Sequence, residues 1–486
     1  MRSPAAHLTK FFALLCLALA ASGSVFADTI YLKSGRKISA THVTQENGEV
    51  SYETSAGRLS FPLSIVDHVT HDDSSPISTA GTPRDRAANL PMAAPAEMSA
   101  MPTDPAASAA VRDGAINTDL LSKLESEASS NPSTPVTARV VAAESAAARF
   151  EISVGDFEHA VDHYNVGLRF DPDNMGLLLE AAYLHLKRSE YTAASDLLDH
   201  ARRIDPDSAE VAKLSGWAYY GLNRAADAVT QWRRAMELQP DDETKKALEK
   251  AERDAREEAE YHEGETTHFR LKYNGNAAPE LAHDVLKTLE AQFDEISATL
   301  NYSPPEPIGV ILYTNQAFMD ITRAPSWSGA LNDGRIRVPV SGLSSMTDEL
   351  ARVLKHELTH SFVGQKTGGR CPVWLQEGLA QFMEGRRSRN NAVALSAAFE
   401  HHMEFSLLSY ESSWLNLPKD TATVAYAWSL AVVETIMTEN GVDDMERILE
   451  RIAGGSSTED AIRSVVHEDY SELMLSTAQF LRKAYE

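Results

Sequence analysis

The sequence predicts a multidomain chain: a small β module, an α-helical repeat solenoid, and an α+β domain whose chemistry lies on a helix hairpin. Three observations carry this. Pro172, Pro206 and Pro240 recur at intervals of 34 residues, each in an acid-rich turn. Short alternating apolar runs before residue 70 are divided by Ser34-Gly35, Asn47-Gly48 and Ala56-Gly57, residue pairs suited to hairpin turns. His356-Glu357-Leu358-Thr359-His360 is followed by Glu377 in a second helical segment. A chain of 486 residues exceeds one compact core, so about three units are expected.

Residues 1–27 read as a signal peptide, with Arg2 and Lys10, an apolar run from Phe11 to Ala21, and Val25-Phe26-Ala27 before Asp28. The run is too short to favour a membrane span, so a periplasmic or secreted protein is expected. Residues 28–70 form the β module, with apolar Ile30 and Leu32, Val50 and Tyr52, Leu59 and Phe61 in alternation. Residues 71–136 hold eight of the 21 prolines among many alanines and serines. Such a composition predicts a mostly disordered tether, with a short helix near Leu120 to Glu127.

Removing the signal takes away Arg2 and Lys10 and no acid, moving the formal charge from −25 to −27. An acidic surface of this kind repels nucleic acid and anionic lipid, so neither is expected as a partner. Cys371 is the one cysteine beyond the signal and cannot form an internal disulfide; it reads as a buried structural thiol.

Residues 137–261 form the solenoid. Twelve residues before the three prolines stand Ala160, Ala194 and Ala228; eight before them stand Tyr164, Leu198 and Trp232. Small and bulky residues at fixed phase are what two packed helices per repeat require. The period and phase resemble tetratricopeptide repeats, which implies a surface for a peptide or protein partner; a structural spacer is the plainer alternative. Thr244 to Glu260 reads as a charged capping helix.

Residues 262–486 open as α/β: a strand at Phe269–Tyr273, an amphipathic helix over 281–300, a buried strand over 308–313, and Gly334-Arg335-Ile336-Arg337-Val338-Pro339 as an edge strand ending at proline. Ser345 and Asp348 stand at capping-box spacing. The apolar stripe Leu350, Val353, Leu354, Leu358 and Phe362 follows, and Gly368-Gly369 ends the helix. Pro372 opens the next helix, which brings Glu377 back to the histidines. Histidines at i and i+4 share one helix face. Two imidazoles and a carboxylate leave a fourth zinc position for water, the pattern of a catalytic site, and Glu357 can take that water's proton. The adjacent His401 and His402 diverge and read as surface residues.

His356-Glu-Leu-Thr-His360 followed by Trp374-Leu-Gln-Glu-Gly-Leu-Ala380 resembles the gluzincin metallopeptidases, specifically the peptidase MA-like domains found behind tetratricopeptide repeats. The resemblance implies a zincin-like fold, zinc held by His356, His360 and Glu377, and Glu357 as general base. It places Glu384 where related aminopeptidases carry an acid behind the ligands. It also places Tyr426 as the oxyanion donor of a Y-x-x-S segment. The strand before the zinc helix would bind substrate, which implicates Gly329, Ala330 and Asn332. Related aminopeptidases have G-A-M-E-N there, but this chain has Asn332 in place of the amine-holding glutamate, which implies an endopeptidase. The expected function is therefore an exported zinc endopeptidase whose repeats recruit a protein. A non-catalytic scaffold and a zinc amidase acting on cell-wall peptides are the alternatives.

Overall fold

The computed structural model describes residues 26–76 and 104–485, short internal stretches such as 275–278, 319–329 and 415–418 excepted. The expected signal sequence before residue 26, much of the expected tether and Gly329 lie outside the described residues. Five strands, β1 (Phe26–Leu32), β2 (Lys37–Glu46), β3 (Glu49–Thr54), β4 (Gly57–Pro62) and β5 (Val66–Pro76), form an antiparallel sheet in the order β4-β3-β2-β1-β5. The module thus begins before Asp28 and runs past residue 70.

The tether reading fails for residues 105–136, where the short helix expected near Leu120 to Glu127 is part of a longer, packed helix. Helix α1 (Pro105–Ala110), the short strands β6 (Val111–Arg112) and β7 (Ala115–Ile116), and α2 (Thr118–Ser130) pack on α3 (Thr134–Val154). Leu121, Leu124 and Ala128 bury against Val140, Ala143 and Ala147. Alanine is the best helix former, and Asp104 and Asn117 cap the two helices. Composition averaged over the segment hides these local signals.

Helices α3 and α4 (Phe157–Phe170), α5 (Met175–Lys187) and α6 (Tyr191–Ile204), α7 (Ala209–Gly221) and α8 (Ala225–Leu238) form three tetratricopeptide-like pairs, capped by α9 (Asp242–Glu257). Ala160, Ala194, Ala228, Tyr164, Leu198 and Trp232 are all buried, as their phase requires. Gly216 lets α7 approach α8, since a Cβ there would meet the Trp232 indole at 2.3 Å. The turns inside the second and third pairs use left-handed residues 34 positions apart, Ser189 (φ 62°) and Asn223 (φ 60°).

The C-terminal domain is built on a sheet in the order β11-β12-β10-β9-β8, from β8 (His262–Glu265), β9 (Phe269–Tyr273), β10 (Ile308–Tyr313), β11 (Leu331–Asn332) and β12 (Ile336–Pro339). Strands β9, β10 and β12 are mutually parallel, and β11 runs antiparallel to β12. The expected edge strand at 334–339 is thus interior; β11 is the edge, and Pro339 tolerates the position because it ends its strand. Phe269, Val310, Leu312, Ile336 and Val338 join the core formed with α10 (Pro279–Leu300) and α11 (Asp348–Lys366). The Phe293 and Phe362 rings of those helices meet edge-to-face at 4.9 Å. The remaining helices are α12 (Val373–Met383), α13 (Ala392–Glu400), α14 (Lys419–Thr435), α15 (Val442–Ala453), α16 (Thr458–Val466) and α17 (Tyr470–Tyr485).

The solenoid docks onto this domain through its intra-repeat turns. Arg370 lies 4.2 Å from the Phe157 ring centre, Thr192 N donates to Glu306 at 2.5 Å, and Asn223 Oδ1 accepts from Arg335 at 2.9 Å. Among the described residues no helix is long and apolar enough to cross a membrane.

Candidate metal centre

Helix α11 starts two residues later than the Ser345–Asp348 pairing implies: Thr347 is its cap, its hydroxyl accepting from Leu350 N at 3.1 Å. Leu350, Leu354, Leu358 and Phe362 are fully buried, which fixes the helix's rotation and turns His356 and His360 towards Glu377 on α12. Gly368 and Gly369, at φ 57° and 75°, reverse the chain with Gly369 N bonded to Gly364 O at 2.7 Å. Pro372 then stands just before α12 rather than inside its first turn. Cys371 beside it is buried, in keeping with a packing role.

Close approach of α12 to α14 sets the other wall. A Cβ on Gly378 would lie 2.3 Å from Ser429 O, so only glycine fits beside Glu377. Gln381 Nε2 donates to Glu377 O and to Tyr426 O, both at 3.1 Å, and stitches the two helices together.

The hairpin brings three donors to one point. His356 Nε2 and His360 Nε2 are 3.2 Å apart. Each stands 3.6 Å from a different Glu377 oxygen. Two ligands of a tetrahedral zinc at about 2.0–2.1 Å stand roughly 3.3 Å apart, so the donor spacing suits such an ion. Among the described residues, His356, His360 and Glu377 are the set that could hold a metal. The electrostatics also ask for a cation: burial disfavours a charged His356, yet the Glu384 and Glu377 carboxylates prevail and raise its pKa to about 10.

Behind the donors, Glu384 Oε1 lies 3.4 Å from His356 Nδ1 and 2.9 Å from Arg386 Nε. Glu357, the residue after His356, is buried as well. Tyr426 on α14 is buried too, edge-on to Trp414 at 5.1 Å. Burial first, then the Glu377 and Glu357 carboxylates, hold its phenol well above the usual range, so it stays a proton donor.

The substrate-strand residues are placed differently. Ala330 is buried. The Asn332 amide points into the domain, donating to Glu357 O at 2.8 Å and Ser361 Oγ at 2.7 Å, while its Oδ1 accepts from Gly334 N at 3.1 Å. It ties the strand to α11. His401 and His402 are exposed, at the turn after α13 rather than on it. Sequence reasoning missed Gln381, Arg386 and Ser361. Gln381 had a signal, standing one helical turn beyond Glu377; the other two had none.

Residues 295–482 match the Peptidase MA superfamily. The match takes in α11, α12 and α14, so it covers every residue of the candidate centre and stops short of the solenoid. No curated protein matches the chain significantly. Among solved structures, the first tetratricopeptide-repeat domain of the human RPAP3 protein is 19% identical, with a TM-score of 0.23, covering 24% of this chain and 93% of that one. The second such domain of human RPAP3, in complex with an HSP70 peptide, is 22% identical, with a TM-score of 0.22, covering 22% of this chain and 92% of that one. The superfamily match and the His-His-Glu cluster together point to a metallopeptidase.

Proposed function

We propose that the chain is an exported zinc-dependent endopeptidase. The observation that carries this is a buried His356–His360–Glu377 donor set with Glu357 beside it. A purely structural metal site has no use for a carboxylate at the Glu357 position, whereas a hydrolytic one needs a general base there. His356, His360 and Glu377 would hold the ion, with Glu384 orienting His356. When bound, zinc lowers the pKa of a water molecule and polarises a carbonyl. Glu357 accepts the water's proton and later delivers it to the leaving amine. The Tyr426 phenol donates to the developing oxyanion, a contribution of a few kcal/mol at most sites of this kind.

Endopeptidase is preferred over aminopeptidase because Asn332 spends its amide on α11 and offers no charge to a free amine. Export rests on the leader-like residues 1–27. Recruitment of a protein partner by the repeats rests on their architecture.

The test is cleavage of a peptide library by residues 28–486, beside a Glu357→Gln variant loaded with equal zinc. Internal cuts by the parent, lost by orders of magnitude in the variant, support the reading. Equal, chelator-sensitive cleavage by both would sink it.

A further inference from the structure

Three links in series join the solenoid to Glu357. Asp254, on capping helix α9, accepts from Arg335 Nη2 at 2.5 Å and from Arg337 Nη2 at 2.8 Å. The two arginines flank Ile336 on β12, so both face α9 while Ile336 faces the core. Ile336 is paired with Asn332 on β11. Asn332 in turn donates to the carbonyl of Glu357 at 2.8 Å. Tyr220, on the last repeat, braces the first link: its hydroxyl donates to Asp254 at 2.6 Å and accepts from Arg337 at 2.9 Å. Every one of these side chains is buried.

Buried ion pairs are weak contributors to stability, because apolar residues of the same volume often do as well. What they supply is fixed geometry. Here the geometry runs from a repeat helix, across one strand pair, to the backbone of the glutamate that would move protons. We propose that Asp254 is a positioning residue of the peptidase site, acting through Arg335, Arg337 and the β11–β12 pair on Glu357. The solenoid is then a structural part of the catalytic unit and not only a recruiting arm. This rests on the peptidase reading above.

The test uses the full chain and two variants. Asp254→Asn removes the charge that both arginines share, and risks misfolding. Tyr220→Phe removes one hydroxyl and keeps the ring's packing. In metal-free protein, amide hydrogen exchange over residues 331–338 and 355–361 is expected to quicken about tenfold in Tyr220→Phe, with α15–α17 unchanged. In zinc-loaded protein, kcat is expected to fall about tenfold at parental zinc content, with KM nearly constant. Parental exchange over 355–361 overturns the proposal, whatever the melting temperature does. If the exchange shift appears while even the parent cleaves nothing, the coupling stands and the peptidase reading falls.

Discussion

Gly378→Ala isolates the contact that sets the site's width. The added Cβ would lie 2.3 Å from Ser429 O and 2.5 Å from Val433 Cγ2, whereas ordinary contact begins at 3.4 Å. Backbone cannot rotate away as a flexible side chain can, so α12 and α14 must part by roughly 1 Å. Overpacking of this kind costs about 1–3 kcal/mol, against about 1 kcal/mol gained from alanine's helix propensity. The net expectation is a loss of about 1 kcal/mol, read as a lower urea midpoint at unchanged slope. Activity should suffer more. Glu377 is the neighbouring residue and Tyr426 lies on the displaced helix, and a misplacement near 1 Å can cost about 100-fold in rate. Urea unfolding, zinc content and kcat on one preparation would measure all three effects. A variant as stable and as fast as the parent refutes the close-approach argument.

Four further outcomes follow from the same geometry. Tyr426→Phe should lower kcat about 100-fold with zinc content unchanged; a parental kcat removes the phenol from the reaction. His360→Ala should lose the metal, and full zinc stoichiometry in that variant refutes the ligand assignment. Because carboxylates hold metal-free His356 protonated up to about pH 10, zinc binding at pH 7 should release a proton. Calorimetry in two buffers of different ionisation enthalpy detects it, and identical heats rule it out. The sign for stability is fixed as well: a folded pKa above the unfolded 6.5 stabilises fully below pH 6.5 and is lost towards pH 10. Metal-free parent should therefore weaken over that range more than His356→Gln.

What the sequence made legible is local. Two histidines four apart and a carboxylate one hairpin later declare themselves because helix geometry converts short spacing into proximity. The 34-residue phase did the same for Ala160, Ala194 and Ala228. What stayed hidden depends on distant partners. The stretch holding Arg335 and Arg337 read as an edge strand, yet both arginines are buried because Asp254, 81 and 83 residues away, meets them. Asn332 read as a substrate contact because its neighbours Glu357 and Ser361 come from a helix begun 16 residues later. The helix at 105–110 was lost for another reason, and the one at 118–130 was seen only in part: caps at Asp104 and Asn117 are single residues, and a composition average over 66 positions outweighs them.

The docking turns carry a consequence for how this protein can change. Repeat arrays ordinarily tolerate gain or loss of a unit, since each contacts only its neighbours. Here Phe157, Thr192 and Asn223, one in or just after each intra-repeat turn, each meet a different part of the C-terminal domain, at Arg370, Glu306 and Arg335. Inserting a fourth unit would slide one turn off its mate and leave Arg335 facing the wrong partner. Repeat number in this chain is a locked dimension, set by the width of the domain it clasps.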